Sequence, residues 1–120
     1  MTTDSTFIAS ADATLAAIGA ALDAALAHDD NATDEGTDWS LVDGILEIEC
    51  GDGSKLIVNR HVPNREIWVA ARSGGFHFRA EAGVWRDARS GGELAAQLTR
   101  LLREQAGLEV DLKRLPSPMT

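Results

Sequence analysis

The stretch Leu46–Phe78, LEIECGDGSKLIVNRHVPNREIWVAARSGGFHF, decides the fold because its apolar residues recur with a period of two. Leu46, Ile48 and Cys50 alternate with Glu47 and Glu49, and Leu56 and Val58 alternate with Ile57 and Asn59. Ile67 and Val69 are separated by Trp68, and Phe76 and Phe78 by His77. Breaks with turn chemistry lie inside the stretch at Asp52-Gly53, Pro63-Asn64 and Gly74-Gly75, and beside it at Asp43-Gly44 and Gly83. Alternation punctuated by such turns predicts an antiparallel meander of five to seven strands with one buried face. The inward set is Leu46, Ile48, Leu56, Val58, Ile67, Val69, Phe76 and Phe78. Cys50 shares that face as a buried, inert thiol. The outward set is Glu47, Glu49, Ile57, Asn59, Glu66, Trp68, His77 and Arg79.

Helical periods flank the meander. Leu15, Ile18, Leu22 and Leu26 recur at spacings of three and four, with Ile8 on the same stripe, so residues 5–27 read as a helix capped by Asp4 or Ser5. Residues 28–38, HDDNATDEGTD, read as an acidic loop. Ser90 and Glu93 have the spacing of a capping box, and Leu94, Leu98, Leu101 and Leu102 mark a second helix that stops at Gly107. Leu108, Val110 and Leu112 alternate as a short strand or an extended arm packed on the core. The expected architecture is α+β, a two-layer αβ sandwich with the N- and C-terminal helices on one face of an antiparallel sheet. One domain is expected over residues 1–112, with 113–120 a flexible tail.

Charge is distributed unevenly. Residues 1–54 hold twelve acids and no Lys or Arg, and the remainder holds eleven cations against seven acids, so the two parts carry −12 and +4 of the total −8. Such a field attracts cations or a basic protein surface and repels nucleic acid and anionic membranes. A single cysteine excludes an internal disulfide framework. No apolar run is expected to approach the ~20 residues that cross a bilayer, and the acidic start does not read as a signal or transit peptide. The expected setting is the cytoplasm.

Catalytic signatures are absent: there is no G-x-S-x-G, P-loop, G-x-G-x-x-G, H-x-x-H or C-x-x-C. The chain reads as a binding protein, not an enzyme, with no catalytic residues. His61 is assigned to a turn without chemistry. Trp68 is the odd member of a polar outward face and a candidate partner anchor, and outward-facing His77 joins it as an interface candidate. Asp29 and Asp30 follow a helix C-terminus, where the dipole disfavours an anion by roughly 0.3–1 kcal/mol each. With no neutralising cation in the neighbouring sequence, that charge reads as used. Carboxylate oxygens suit hard cations, ferric iron included. The D-D-x-x-x-D-E spacing does not make an EF-hand loop, so an exposed strip binding several cations weakly is expected.

These residues resemble the bacterial frataxins of the CyaY type. The resemblance rests on Asn59-Arg60, Pro63, Ile67-Trp68-Val69-Ala70 and Gly74-Gly75-Phe76-His77-Phe78, with Trp85 and Ser90-Gly91 before the last helix. It runs over roughly residues 5–112. It implies weak iron binding (Fe2+ or Fe3+, with other divalent cations able to substitute) along an acidic ridge of the first helix and first strand. It implies a role in iron–sulfur cluster assembly, regulating the cysteine desulfurase by docking on it and on its scaffold protein. It implies partner-binding roles for Trp68 and for Asn59-Arg60, and the expected state is a monomer. Two departures stand out: His61 replaces the family's usual glutamine, and Gly19-Ala20 replaces an acidic pair in the first helix. The metal candidates are therefore Asp23, His28, Asp29, Asp30, Asp34, Glu35 and Asp38, nearer the loop than the helix. The alternative is an acidic interaction module that docks on a basic partner with no functional metal.

Overall fold

The computed structural model describes residues 3–28 and 36–118, with only the backbone of His28. Helix α1 (Asp4–His28) precedes six strands, β1 (Asp38–Val42), β2 (Ile45–Glu49), β3 (Lys55–His61), β4 (Glu66–Ala71), β5 (Gly74–Glu81) and β6 (Val84–Asp87), and helix α2 (Leu94–Ala106) follows them. A short 3-10 turn, Val62–Asn64, joins β3 to β4. Every sheet neighbour is also a sequence neighbour, in the order β1-β2-β3-β4-β5-β6. All five pairings are antiparallel.

Helix α1 buries Phe7, Ala11, Leu15, Ile18 and Leu22. It lies against β1 and β3, and α2 lies against β6. Thr3 caps α1, its Oγ1 accepting the Thr6 N–H at 3.1 Å, one or two residues earlier than the expected Asp4 or Ser5. By length and composition Asp4–Ala27 is long and apolar enough to cross a membrane, 24 residues with a mean hydropathy of 1.4. The expectation that no segment approaches that length is corrected: its alanines raise hydropathy although only one stripe is strongly apolar. The sheet takes up that stripe. The buried Thr14 hydroxyl on it is satisfied, donating to the Ser10 carbonyl at 2.9 Å and accepting the Trp85 indole N–H at 3.0 Å.

The period-two register holds. Leu46, Ile48, Leu56, Val58, Ile67, Val69 and Phe78 are buried beneath the helices, as is Cys50, while Phe76 is half-buried against the same core. Asp43 and Gly44, both at positive φ (51° and 77°), make the two-residue β1–β2 turn. Positive φ at both central positions matches the right-handed twist of the paired strands.

The capping box is corrected. Glu93 takes the N-cap position of α2 in extended conformation without a side-chain cap. Its carboxylate is drawn to Arg86 of β6 at 3.4 Å, and the Ser90 hydroxyl accepts the Gly92 N–H. At the other end Gly107, at φ 64°, donates to Arg103 while Leu108 N–H reaches the Leu102 carbonyl, which stops the helix as expected. Leu108, Val110 and Leu112 are buried in an extended arm rather than a strand. Beyond them Leu115 packs against the core and Pro118 is buried.

Candidate functional site

Two regions concentrate the candidate residues. The first is the edge formed by α1 and β1. Trp39 of β1 lies across α1, its ring atoms 2.7 Å from the place a Cβ on Gly19 would occupy. The helix turn that lacks an acidic pair is therefore the seat of an indole. Trp39 Nε1–H donates to Asp23 Oδ1 at 2.8 Å, and the Trp39 backbone N–H donates to Asp38 Oδ1 at 2.9 Å. One residue thus holds two of the metal candidates. Asp29, Asp30, Asp34, Glu35 and the His28 side chain lie outside the described residues. Among the described residues no group of three or more His, Cys, Asp or Glu is placed to hold a metal ion.

Much of the remaining early acidity finds cations from later in the chain. Asp12 pairs with Arg60, Asp52 with Arg72, Asp4 with Arg65 at 2.9 Å, and Glu47 with Lys55 at 2.8 Å. Charge that is lopsided along the sequence is thus partly neutralised in space at these four. Asp52 is held well below the usual carboxylate range, first by the Ser54 hydroxyl and then by Arg72. Burial pushes the Cys50 thiol up, against the opposing hydrogen bond to Ser54, which fits an inert group.

The second region is the sheet face away from the helices. Register sets Val42 opposite Ile45, Ile45 opposite Asn59, Asn59 opposite Trp68, and Trp68 opposite His77, one continuous row across five strands. Val42 and Ile45 are large hydrophobics left 63% and 44% exposed at the start of that row. Trp68 is clasped by two imidazoles: His61 stacks at a centroid distance of 3.7 Å and 9° between planes, His77 at 4.3 Å and 8°. Glu66 ties the group together. Its carboxylate accepts the Trp68 Nε1–H at 2.8 Å and the Arg79 Nε–H at 2.9 Å, and it lies 3.8 Å from His77 Nδ1. Burial pushes Glu66 up, but the bonds from Trp68 and Arg79 outweigh it and its carboxyl titrates below the ordinary value.

Of the four partner-binding candidates, Asn59, Trp68 and His77 share this face. Arg60 does not: it runs under Gly44, where any Cβ would collide with the Arg60 side chain, to Asp12 on α1. His61, Val42 and Ile45 were missed by sequence reasoning. Continuing the β3 alternation from Asn59 by two residues would have placed His61 outward.

Two helices on one face of a six-stranded antiparallel meander, with no helix among the described residues on the other face, is the fold of the frataxins. The chain belongs to the frataxin-like family: the sequence profile of the frataxin-like domain matches residues 1–108. It is 48% identical over 111 residues to the iron-sulfur cluster assembly protein CyaY of Dechloromonas aromatica, covering 92% of this chain and 98% of that protein. It is 42% identical over 110 residues to the protein of the same name from Cupriavidus metallidurans, covering 92% and 96%. Among solved structures, frataxin from Psychromonas ingrahamii superposes with a TM-score of 0.81 at 28% identity, covering 94% of this chain and 100% of that one.

Proposed function

We propose that this chain acts in iron–sulfur cluster assembly as a non-enzymatic regulator, docking on the cysteine desulfurase and its scaffold protein. In this reading the edge of α1 and β1, with the loop between them, binds iron weakly and steers a basic partner. The outer sheet face supplies the anchor. The observation that carries the docking reading is the in-register row from Val42 to His77: an apolar and aromatic strip on a face that no helix among the described residues covers, in a chain whose relatives are named for cluster assembly. Exposed aromatic residues within such a patch are the usual source of binding energy.

The test is a pull-down with the desulfurase of the same organism, with and without ferrous iron. The chain is expected to capture the desulfurase, more strongly with iron, and failure to capture it in either condition overturns the reading. A metal-independent interaction module is the second reading. The pairing of Asp4, Asp12, Glu47 and Asp52 with cations favours it, since it leaves fewer free carboxylates for metal. Backbone amide shifts followed during addition of ferrous iron separate the two. Changes confined to residues 20–43 support the metal edge, and unchanged spectra support the module.

A further inference from the structure

The sheet is notched beside the start of β4. Strands β4 and β5 pair from Ile67 opposite Phe78 to Ala71 opposite Gly74, and β5 runs on past Phe78 to Glu81 in pairing with β6. The backbone of this overhang has a definite direction. Glu81 and Val84 flank the two-residue turn Ala82-Gly83, both at positive φ (53° and 82°), so they form the hydrogen-bonded pair that closes the hairpin. Hydrogen-bonded and non-hydrogen-bonded pairs alternate along an antiparallel ladder. Ala80, opposite Trp85, is therefore a non-hydrogen-bonded position, and its N–H and C=O point away from β6, to the side on which β4 lies. Two residues earlier Phe78 points the same way and meets Ile67. Ala80 meets no strand. Arg65, just before β4, is left-handed at φ 52° and gives its N–H to the Val62 carbonyl at 3.0 Å. Among the described residues nothing bonds the Ala80 peptide groups from that side.

The notch opens into a cleft of about 610 Å³, a size that suits a small ligand. Phe7, Val62 and Trp85 give it apolar walls, and Arg65 and Arg79 are its cations. Asp4 is the one acid among the described residues that lines it, and it pairs with Arg65 at 2.9 Å. Arg79 gives its Nε–H to Glu66, and its remaining N–H donors have no partner among the described residues.

We propose that this notch binds the carboxyl end of a peptide whose last residue is apolar. The last amide lies along Ala80 as one rung of strand pairing, the last side chain enters between the apolar walls, and the carboxylate meets Arg79. Extended peptides add to open sheet edges through main-chain bonds while pockets read their side chains, and a guanidinium holds a carboxylate through charge-assisted N–H bonds. No residue of the row from Val42 to His77 that carries the docking reading lines the cleft, so this site is separate from that one.

The probe is N-acetyl-leucine, titrated into the full chain at neutral pH while backbone amide and indole N–H signals are followed by NMR. Shifts should centre on Val62, Arg65, Ala80 and the Trp85 indole and leave Val42 and Ile45 in place. N-acetyl-leucine amide, which lacks the charge, should bind about tenfold more weakly, the scale of one hydrogen bond to a charged group. 4-Methylpentanoate, which keeps the carboxylate and side chain but lacks the acylamino group, should also bind more weakly. Arg79→Gln should weaken N-acetyl-leucine binding about tenfold by the same reasoning. Asp4→Asn should strengthen it, because the anion beside Arg65 is gone. Both side chains are largely exposed, at 62% and 63%, and unchanged core amide signals of Ile67 and Val69 check that each variant is folded. The proposal is overturned if N-acetyl-leucine causes no saturable shifts or shifts centred elsewhere. It is equally overturned if the amide or 4-methylpentanoate binds as well as the probe, or if Asp4→Asn weakens binding.

Discussion

The edge of α1 and β1 and the outer face of the sheet are built by different physics. At the edge, charge is spread over many carboxylates, and contacts distant in sequence decide which remain free. Arg60 and Arg65 return from the β3–β4 region to neutralise Asp12 and Asp4, and Trp39 occupies Gly19 while holding Asp23. On the outer face, strand alternation alone sets Asn59, Trp68 and His77 in one row, and a single carboxylate, Glu66, organises the stack. Binding through the edge should therefore be divisible and sensitive to salt. Binding through the outer face should be concentrated and insensitive to it.

The largest effect should come from Trp68→Ala. Truncating a central aromatic anchor typically costs about 2 kcal/mol or more in binding. Desulfurase affinity measured across a salt series should drop by that amount at every ionic strength. A loss that vanishes at high salt would erase the distinction between the two regions.

Next is Gly19→Glu, which places a carboxylate on the first helix where the family resemblance led to the expectation of an acid. A side chain there collides with the Trp39 ring. Overpacking of this kind costs about 1–3 kcal/mol, to be read from denaturant midpoints at constant m-value. The same variant releases Asp23 from Trp39, so a stability loss accompanied by tighter iron binding would show that the indole restrains the edge.

Acid separates the regions further. Glu66 titrates below the ordinary glutamate value in the folded chain. A depressed folded pKa contributes stability that is fully present above the unfolded value, about 4.3, and is lost as pH falls through the lower folded value. Glu66→Gln should therefore destabilise the protein at neutral pH, by an amount on the order of the 0.2–1 kcal/mol typical of exposed ion pairs, and the deficit should shrink below about pH 4. Asp52→Asn should follow the same sign through its bonds to Ser54 and Arg72. Equal slopes for wild type and both variants in acid denaturation would contradict these assignments.

Much of the sheet was legible from Leu46 to Phe78 because alternation is local: each residue's face follows from its neighbour's, and the turns set where the count restarts. The helix stripes were legible for the same reason. What escaped were contacts between distant segments competing for one side chain. Glu93 has capping-box spacing, but Arg86 claims it; Arg60 follows Asn59 in a motif, but α1 claims it. His61 was set aside as a turn residue because Pro63 follows closely, yet β3 runs through it and gives it to Trp68. The metal edge was legible as composition only, since a count of carboxylates says nothing about which are paired.

An effect of similar small size, and the one most specific to the edge, is that of Asp29→Lys/Asp30→Lys. Both positions follow directly on α1, which ends at His28. A cation just past a helix C-terminus is favourable where an anion is not, by about 0.3–1 kcal/mol at low salt, so the double variant should be slightly more stable than the parent. If the acids are retained for steering, the same variant should bind the desulfurase more weakly at low salt and converge on wild type as salt shortens the Debye length from about 10 Å at 0.1 M to about 3 Å at 1 M. Measured together, the two changes must oppose one another: stability gained, docking lost, both fading with salt. A variant that gains stability and docks like wild type at low salt would leave this acidity as a solvated loop, and the outer face would then carry the interaction alone.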